Sequence, residues 1–188
     1  MHLRIQKSFD LHGTLSGQVE VPRVAWFANK NSSFWDDNLE LFPDDPSFSR
    51  RARDILCMER IFPLPEPIRH ALIDLFCNPT HATAAKTHPA NKDCLVKMIF
   101  GRKRFGSSRP GSMFFSLRNY KLHVDQTQLL QLDAEEYATS MADALAVLHW
   151  HTKIDGMDIE FALGSSSTER LLELAQCLTR IFIFTKSA

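Results

Sequence analysis

Two periods run through the hydrophobic and polar positions of this chain, and they place most of its elements. Leu3, Ile5 and Phe9 stand among polar neighbours, which predicts a short helix over residues 1–10, ended by Gly13 and Gly17. Val19 to Phe27 alternates loosely, and Pro22 restricts it to a short or edge strand. The polar stretch Asn29 to Asp37 reads as a hairpin loop before Asn38–Phe42, and Pro43–Pro46 as a turn. Asp54–Met58 reads as a buried strand. Pro63, Pro65 and Pro67 then forbid regular pairing, and Pro67 opens a helix carrying Ile68, Leu72, Ile73, Leu75 and Phe76 at helical spacing. That helix stops before Asn78-Pro79, and residues 80–92 look like loop.

The second half continues with Cys94–Phe100, a β-rich run, followed by a glycine-bounded basic loop from Gly101 to Gly111. A second apolar run, Met113–Leu117, is placed to pair with the first across that loop. Asp133 and Glu136 form a capping box, and Tyr137, Met141, Ala144, Leu145 and Leu148 fall on one face, so 134–150 is an amphipathic helix. Gly156 and Gly164 punctuate the segment Ile154–Leu163. A last helix over 168–178 and a strand over 180–184 complete the pattern. The class is α+β, with short antiparallel strands around one long central helix and no internal repeat.

Composition narrows this picture without identifying a chemistry. The chain's 188 residues suit one domain, 1–188, against ~100–200 residues per domain. Lys and Arg total 22, as do Asp and Glu, so no overall charge draws the chain to nucleic acid or to an anionic membrane. The N-terminus lacks the apolar core of a signal peptide, and no run suits a membrane span, so a cytoplasmic location is expected without membrane insertion. Cys57, Cys77, Cys94 and Cys177 all lie in apolar surroundings without a CxxC or Cys/His box. They read as buried free thiols, and neither a metal nor another cofactor is expected.

Several polar groups stand where chemistry is possible. Arg118 and Tyr120 follow the apolar run that contains Phe115, and a cation and a phenol beside Met98 and Phe115 suit an apolar ligand with one carbonyl or carboxylate. Equally, Arg118 can serve structure by donating to backbone carbonyls. His149-Trp150-His151 ends the long helix just before Asp155 and Asp158. Residues two apart on a helix diverge, so the two imidazoles share an ion only if the helix ends at His149. Otherwise they complement the helix dipole while Trp150 packs inward. Asp155 suits a turn, Asp158 a site carboxylate, and Glu160 either solvent or a pair with Arg118. Arg102, Lys103, Arg104 and Arg109 read as a solvated loop rather than a phosphate site.

Four segments also carry a family resemblance: Met58–Pro65, Asn91–Lys97 with Gly101–Arg104, Phe115–His123, and Ala144–Trp150 with Asp158–Gly164. Together they resemble a fungal family of unknown function whose members are often labelled zinc-finger proteins. In element order that family is similar to a degenerate protein-kinase-like domain. The resemblance implies that 1–62 is an N-lobe remnant with its hinge and 63–188 a C-lobe remnant. The glycine-rich loop, strand lysine, magnesium aspartate and His-Arg-Asp motif of a kinase are all missing, so phosphoryl transfer is not expected. The resemblance instead implies a cofactor-free biosynthetic enzyme of fungal secondary metabolism, acting on a terpenoid or polyketide. It would be a cyclase or pericyclase of the Diels–Alderase type, holding an apolar small molecule in the former nucleotide cleft. Arg118, Tyr120, His149 and Asp158 would act on the substrate, and Met98, Phe115 and Trp150 would line its walls. The alternative is a catalytically silent binding or regulatory module.

Overall fold

In the computed structural model, residues 1–12, 19–44, 50–103, 115–165 and 180–185 are described. They form two compact units, one made of 1–22 with 60–188 and the other of 23–59. The expected helix over 168–178, and Arg104, Arg109, Met113 and Phe114, lie outside the described residues.

The larger unit is built on a mixed five-stranded sheet. Its strands are β1 (Val19–Glu20), β4 (Val96–Ile99), β5 (Tyr120–His123), β6 (Ile159–Gly164) and β7 (Arg180–Thr185), in the order β1-β7-β6-β4-β5. β6 runs antiparallel to both β4 and β7, whereas β1 is parallel to β7 and β5 is parallel to β4. The sheet is therefore not the purely antiparallel one expected. Its core face carries Val96, Met98, Leu122, Phe161, Leu163, Ile181 and Ile183, all buried. Ile5 and Phe9 of α1 (His2–Leu11) and Leu72 and Ile73 of α3 (Glu66–Phe76) belong to the same core. So do Ala144 of α6 (Ala134–Ala146) and, just after it, Val147 and Leu148.

The pairing of β4 differs from the sequence expectation for a local reason. Phe115–Leu117 is not a strand. The backbone N–H of the fully buried Leu117 donates to the Asn91 side chain at 2.8 Å, and Asn119 turns the chain with φ of 57°. Extended backbone resumes only at Tyr120, and it lies parallel to β4 because the connection is long enough for a crossover.

A second difference sits at Asn78-Pro79. That dipeptide does stop α3, but it also starts α4 (Pro79–Thr87) where loop was expected. The Asn78 side chain accepts from the Thr80 N–H at 3.0 Å, and Pro79 occupies the first helical turn, where its missing N–H costs nothing. Helix α6 begins as expected, with Asp133 accepting from the Glu136 N–H at 2.9 Å. It then widens into a π-helical segment, Val147–Thr152, closed by Lys153 in the left-handed region at φ 53°. Between them, α5 (Val124–Leu129) follows β5 directly.

The smaller unit is a ribbon with a helical cover. β2 (Val24–Ala28) pairs antiparallel with β3 (Ile55–Met58), with an irregularity between Val24 and Trp26. α2 (Phe34–Asn38) begins within the stretch Asn29–Asp37 expected to be a hairpin loop, and a 3-10 turn, Leu39–Leu41, follows it. Trp26, Phe34, Trp35 and Phe42 form a chain of rings 5.0–5.3 Å apart. Trp35 donates its indole N–H to the Asn29 carbonyl at 3.1 Å. Among the described residues, no helix is long and apolar enough to cross a membrane.

Candidate functional site

The sequence-predicted site residues fall into three places. Met98 is buried in the core under β4. Phe115 and Tyr120 are brought together, their ring centroids 5.8 Å apart, and Phe76 of α3 stacks on Tyr120 at 6.2 Å. The Tyr120 hydroxyl accepts from the Gln126 amide at 2.7 Å, and the Gln126 carbonyl oxygen accepts from the His123 N–H at 3.1 Å. This phenol is tied into the β5–α5 junction.

Arg118 sits in the turn before β5 with its side chain exposed. Glu160 pairs with Lys97 rather than with Arg118. His149 and Trp150 belong to the π-helical segment, and Trp150 does not pack inward but is 71% exposed. The buried positions of the segment are Val147, Leu148 and Thr152, and Trp150 lies off that face. His149 leans on the next turn, with Nε2 only 3.2 Å from where a β-carbon on Gly156 would stand. Asp155 caps that turn, accepting from the Met157 N–H at 2.8 Å. Asp158 closes the same 3-10 turn, and its side chain lies outside the described residues.

A different group of residues does converge. Between α3 and α4 lies a cleft of about 310 Å³, lined by Glu66, Arg69, His70, Lys86, Thr87 and Lys92. Arg69 is held rigidly at this cleft: Nε donates to the Leu64 carbonyl and Nη1 to the Asn91 carbonyl, both at 2.9 Å. Asn91, only 2% exposed, is the joint beneath it. Its amide donates to the Ala85 carbonyl at 2.9 Å while its oxygen receives the Leu117 N–H, so one side chain fixes α4, the cleft and the approach to β5.

The charges around the cleft are predominantly basic. Lys86 is paired with Asp74 at 2.7 Å, and His70 stands 3.7 Å from Glu66. Lys92 is exposed at the rim. Lys92 offers an exposed ammonium, and Arg69 is bonded to carbonyls through Nε and Nη1, on one side of its five-donor fork. Among the described residues, no group of three or more His, Cys, Asp or Glu side chains is placed to hold a metal ion.

No family model, curated protein or solved structure matches this chain. The site therefore has to be judged by its own chemistry.

Sequence reasoning missed Arg69, Lys86 and Lys92 because it read α3 by its apolar positions and 80–92 as loop. The Asn78-Pro79 pair held the missing signal. Read as a cap and first helical residue, it sets a second helix against α3 and brings Lys86 alongside Asp74.

Proposed function

We propose that this chain is a binding module whose ligand is a small, multiply charged anion, a phosphate or carboxylate compound, held in the α3–α4 cleft. One observation carries the proposal: Arg69 is anchored by two backbone carbonyls at the wall of a cleft that Lys86 and Lys92 also line. A guanidinium fixed in this way has already lost its rotamer freedom, so an arriving oxyanion meets a donor that needs no further ordering. Charge-assisted bonds of this kind are the stronger class of hydrogen bond, and a partly enclosed cleft screens them less than an open surface.

The cyclase reading needs an apolar pocket with an inward arginine or tryptophan. Arg118 and Trp150 are both exposed, and Tyr120 is engaged by Gln126, which favours the module. A cleft edged with ammonium and guanidinium groups suits recognition of an oxyanion.

The test is calorimetric titration with pyrophosphate and with citrate, each without added metal. One-to-one binding that weakens as salt rises is expected. A hydrogen bond to a charged group contributes ~1.5–3 kcal/mol, so Arg69→Ala should weaken binding about tenfold or more. Lys92→Glu, which disturbs no packed contact, should weaken it as well. Binding of neither anion, or binding indifferent to both substitutions, overturns the proposal.

A further inference from the structure

His149 and His151 serve different neighbours once the helix has widened. His149 faces Gly156, whereas His151 meets a residue from the other end of the unit. Its ring lies against that of His12, the residue that caps α1, with centroids 3.7 Å apart and planes inclined by 31°. Both elements are anchored in one core, through Ile5 and Phe9 of α1 and through Val147 and Leu148 of the π-helical segment. His12 is half-buried and its N–H donates to the Ser8 carbonyl at 3.0 Å, while His151 is exposed and so can turn about its side-chain bonds.

A pair of imidazoles from two separately anchored elements is a donor set for borderline transition metals, which carboxylate-preferring calcium or magnesium do not seek. The lone pair of each ring nitrogen lies in the ring plane. A modest rotation of the exposed His151 ring is therefore what turns stacked planes into two nitrogens directed at one ion. We propose that His12 and His151 form a two-imidazole site for an exchangeable Zn²⁺, Ni²⁺ or Cu²⁺ ion, with water completing its shell. Structural zinc takes four protein ligands, so this site with two is one of exchange and not of folding. Bound metal ties α1 to the segment after α6 and stabilises the folded chain by mass action.

Trp150, next to His151 and 71% exposed, supplies a local probe. The other two tryptophans, Trp26 and Trp35, belong to the smaller unit. The experiment titrates the full chain with Ni²⁺ and Zn²⁺ by calorimetry, and with Cu²⁺ by fluorescence quenching. One ion per chain is expected, together with a metal-dependent rise in melting temperature. Loss of a ligand should cost more than the ~10–100-fold seen on losing a group that merely orients one, so His12→Asn and His151→Asn should each weaken binding at least that far. His149→Asn should leave it unchanged. Trp150→Phe should remove the quenching that comes from Trp150 and keep the calorimetric signal. Circular dichroism of the exposed His151→Asn variant separates loss of metal from loss of fold. Absence of saturable binding, survival of binding in His151→Asn, or equal loss in His149→Asn overturns the proposal.

Discussion

Lys97 of β4 and Glu160 of β6 are joined across the sheet, Nζ to Oε2 at 2.7 Å, with side chains only 24% and 18% exposed. Lys97 is in register with Ala162, so Glu160 is its diagonal neighbour on the same face. Exposed pairs are worth ~0.2–1 kcal/mol and breaking a fully buried one costs ~3–5 kcal/mol, so this half-buried pair should fall between. A double-mutant cycle of Lys97→Met and Glu160→Gln, followed by urea denaturation, should return a coupling of roughly 1–2 kcal/mol. A coupling indistinguishable from zero would remove this bridge from the account of the sheet.

Tyr120 separates a structural phenol from a catalytic one. Its hydroxyl is bonded to the amide of Gln126, which is 4% exposed. Tyr120→Phe keeps the ring between Phe76 and Phe115 but leaves a buried amide donor without that partner. The expected cost is ~1–3 kcal/mol of stability, read from the denaturation midpoint, with the affinity for pyrophosphate unaltered. A change in anion affinity with unaltered stability would return Tyr120 to the site.

Cys94 reports on the base of the cleft through pH. Burial pushes its thiol from 9.0 up to about 11, with Arg69 pulling it down and Asp93 pushing it up as smaller effects. Below pH 9 both folded and unfolded chains hold this proton, and the thiol's contribution is complete. From pH 9 to 11 the unfolded thiol ionises first, so stability is lost as pH rises. In paired denaturation curves, Cys94→Ala should lose less stability over that window than the parent chain. Equal slopes would mean that the thiol is not desolvated.

What the sequence disclosed and what it withheld divide along physical lines. The capping residues of α6, the proline entry to α3 and the strands at 55–58 and 180–185 were legible because each rests on neighbours in the chain, although 55–58 is half-buried with Leu56 exposed and not the buried strand expected. The parallel partner of β4 was not. The hydrophobicity of Phe115–Leu117 is spent on burying Leu117 in the core, and only the Asn91 bond and the turn at Asn119 decide where the strand begins. Trp150 misled because its ring is apolar while its position is not: at ~100° per residue it falls well off the face that Tyr137, Ala144, Val147 and Leu148 bury. The cleft was hidden because Arg69 owes its position to carbonyls at Leu64 and Asn91, partners that periodicity cannot reveal. His151 likewise meets His12 only through the fold.

The place of β7 in the sheet has a consequence for biosynthesis. β7 lies between β1 and β6, so the strand formed by residues 19–20 pairs with one formed by residues 180–185. While a ribosome is still delivering the intervening chain, β1 has no neighbour and β6 presents an open edge on that side. Such an edge invites pairing with other nascent chains. Closing so wide a loop is slow compared with forming α3 or α6, which need only local contacts. The nascent protein should therefore depend on chaperone cover until its last described strand is released, and truncation before residue 180 should yield aggregates rather than a smaller fold.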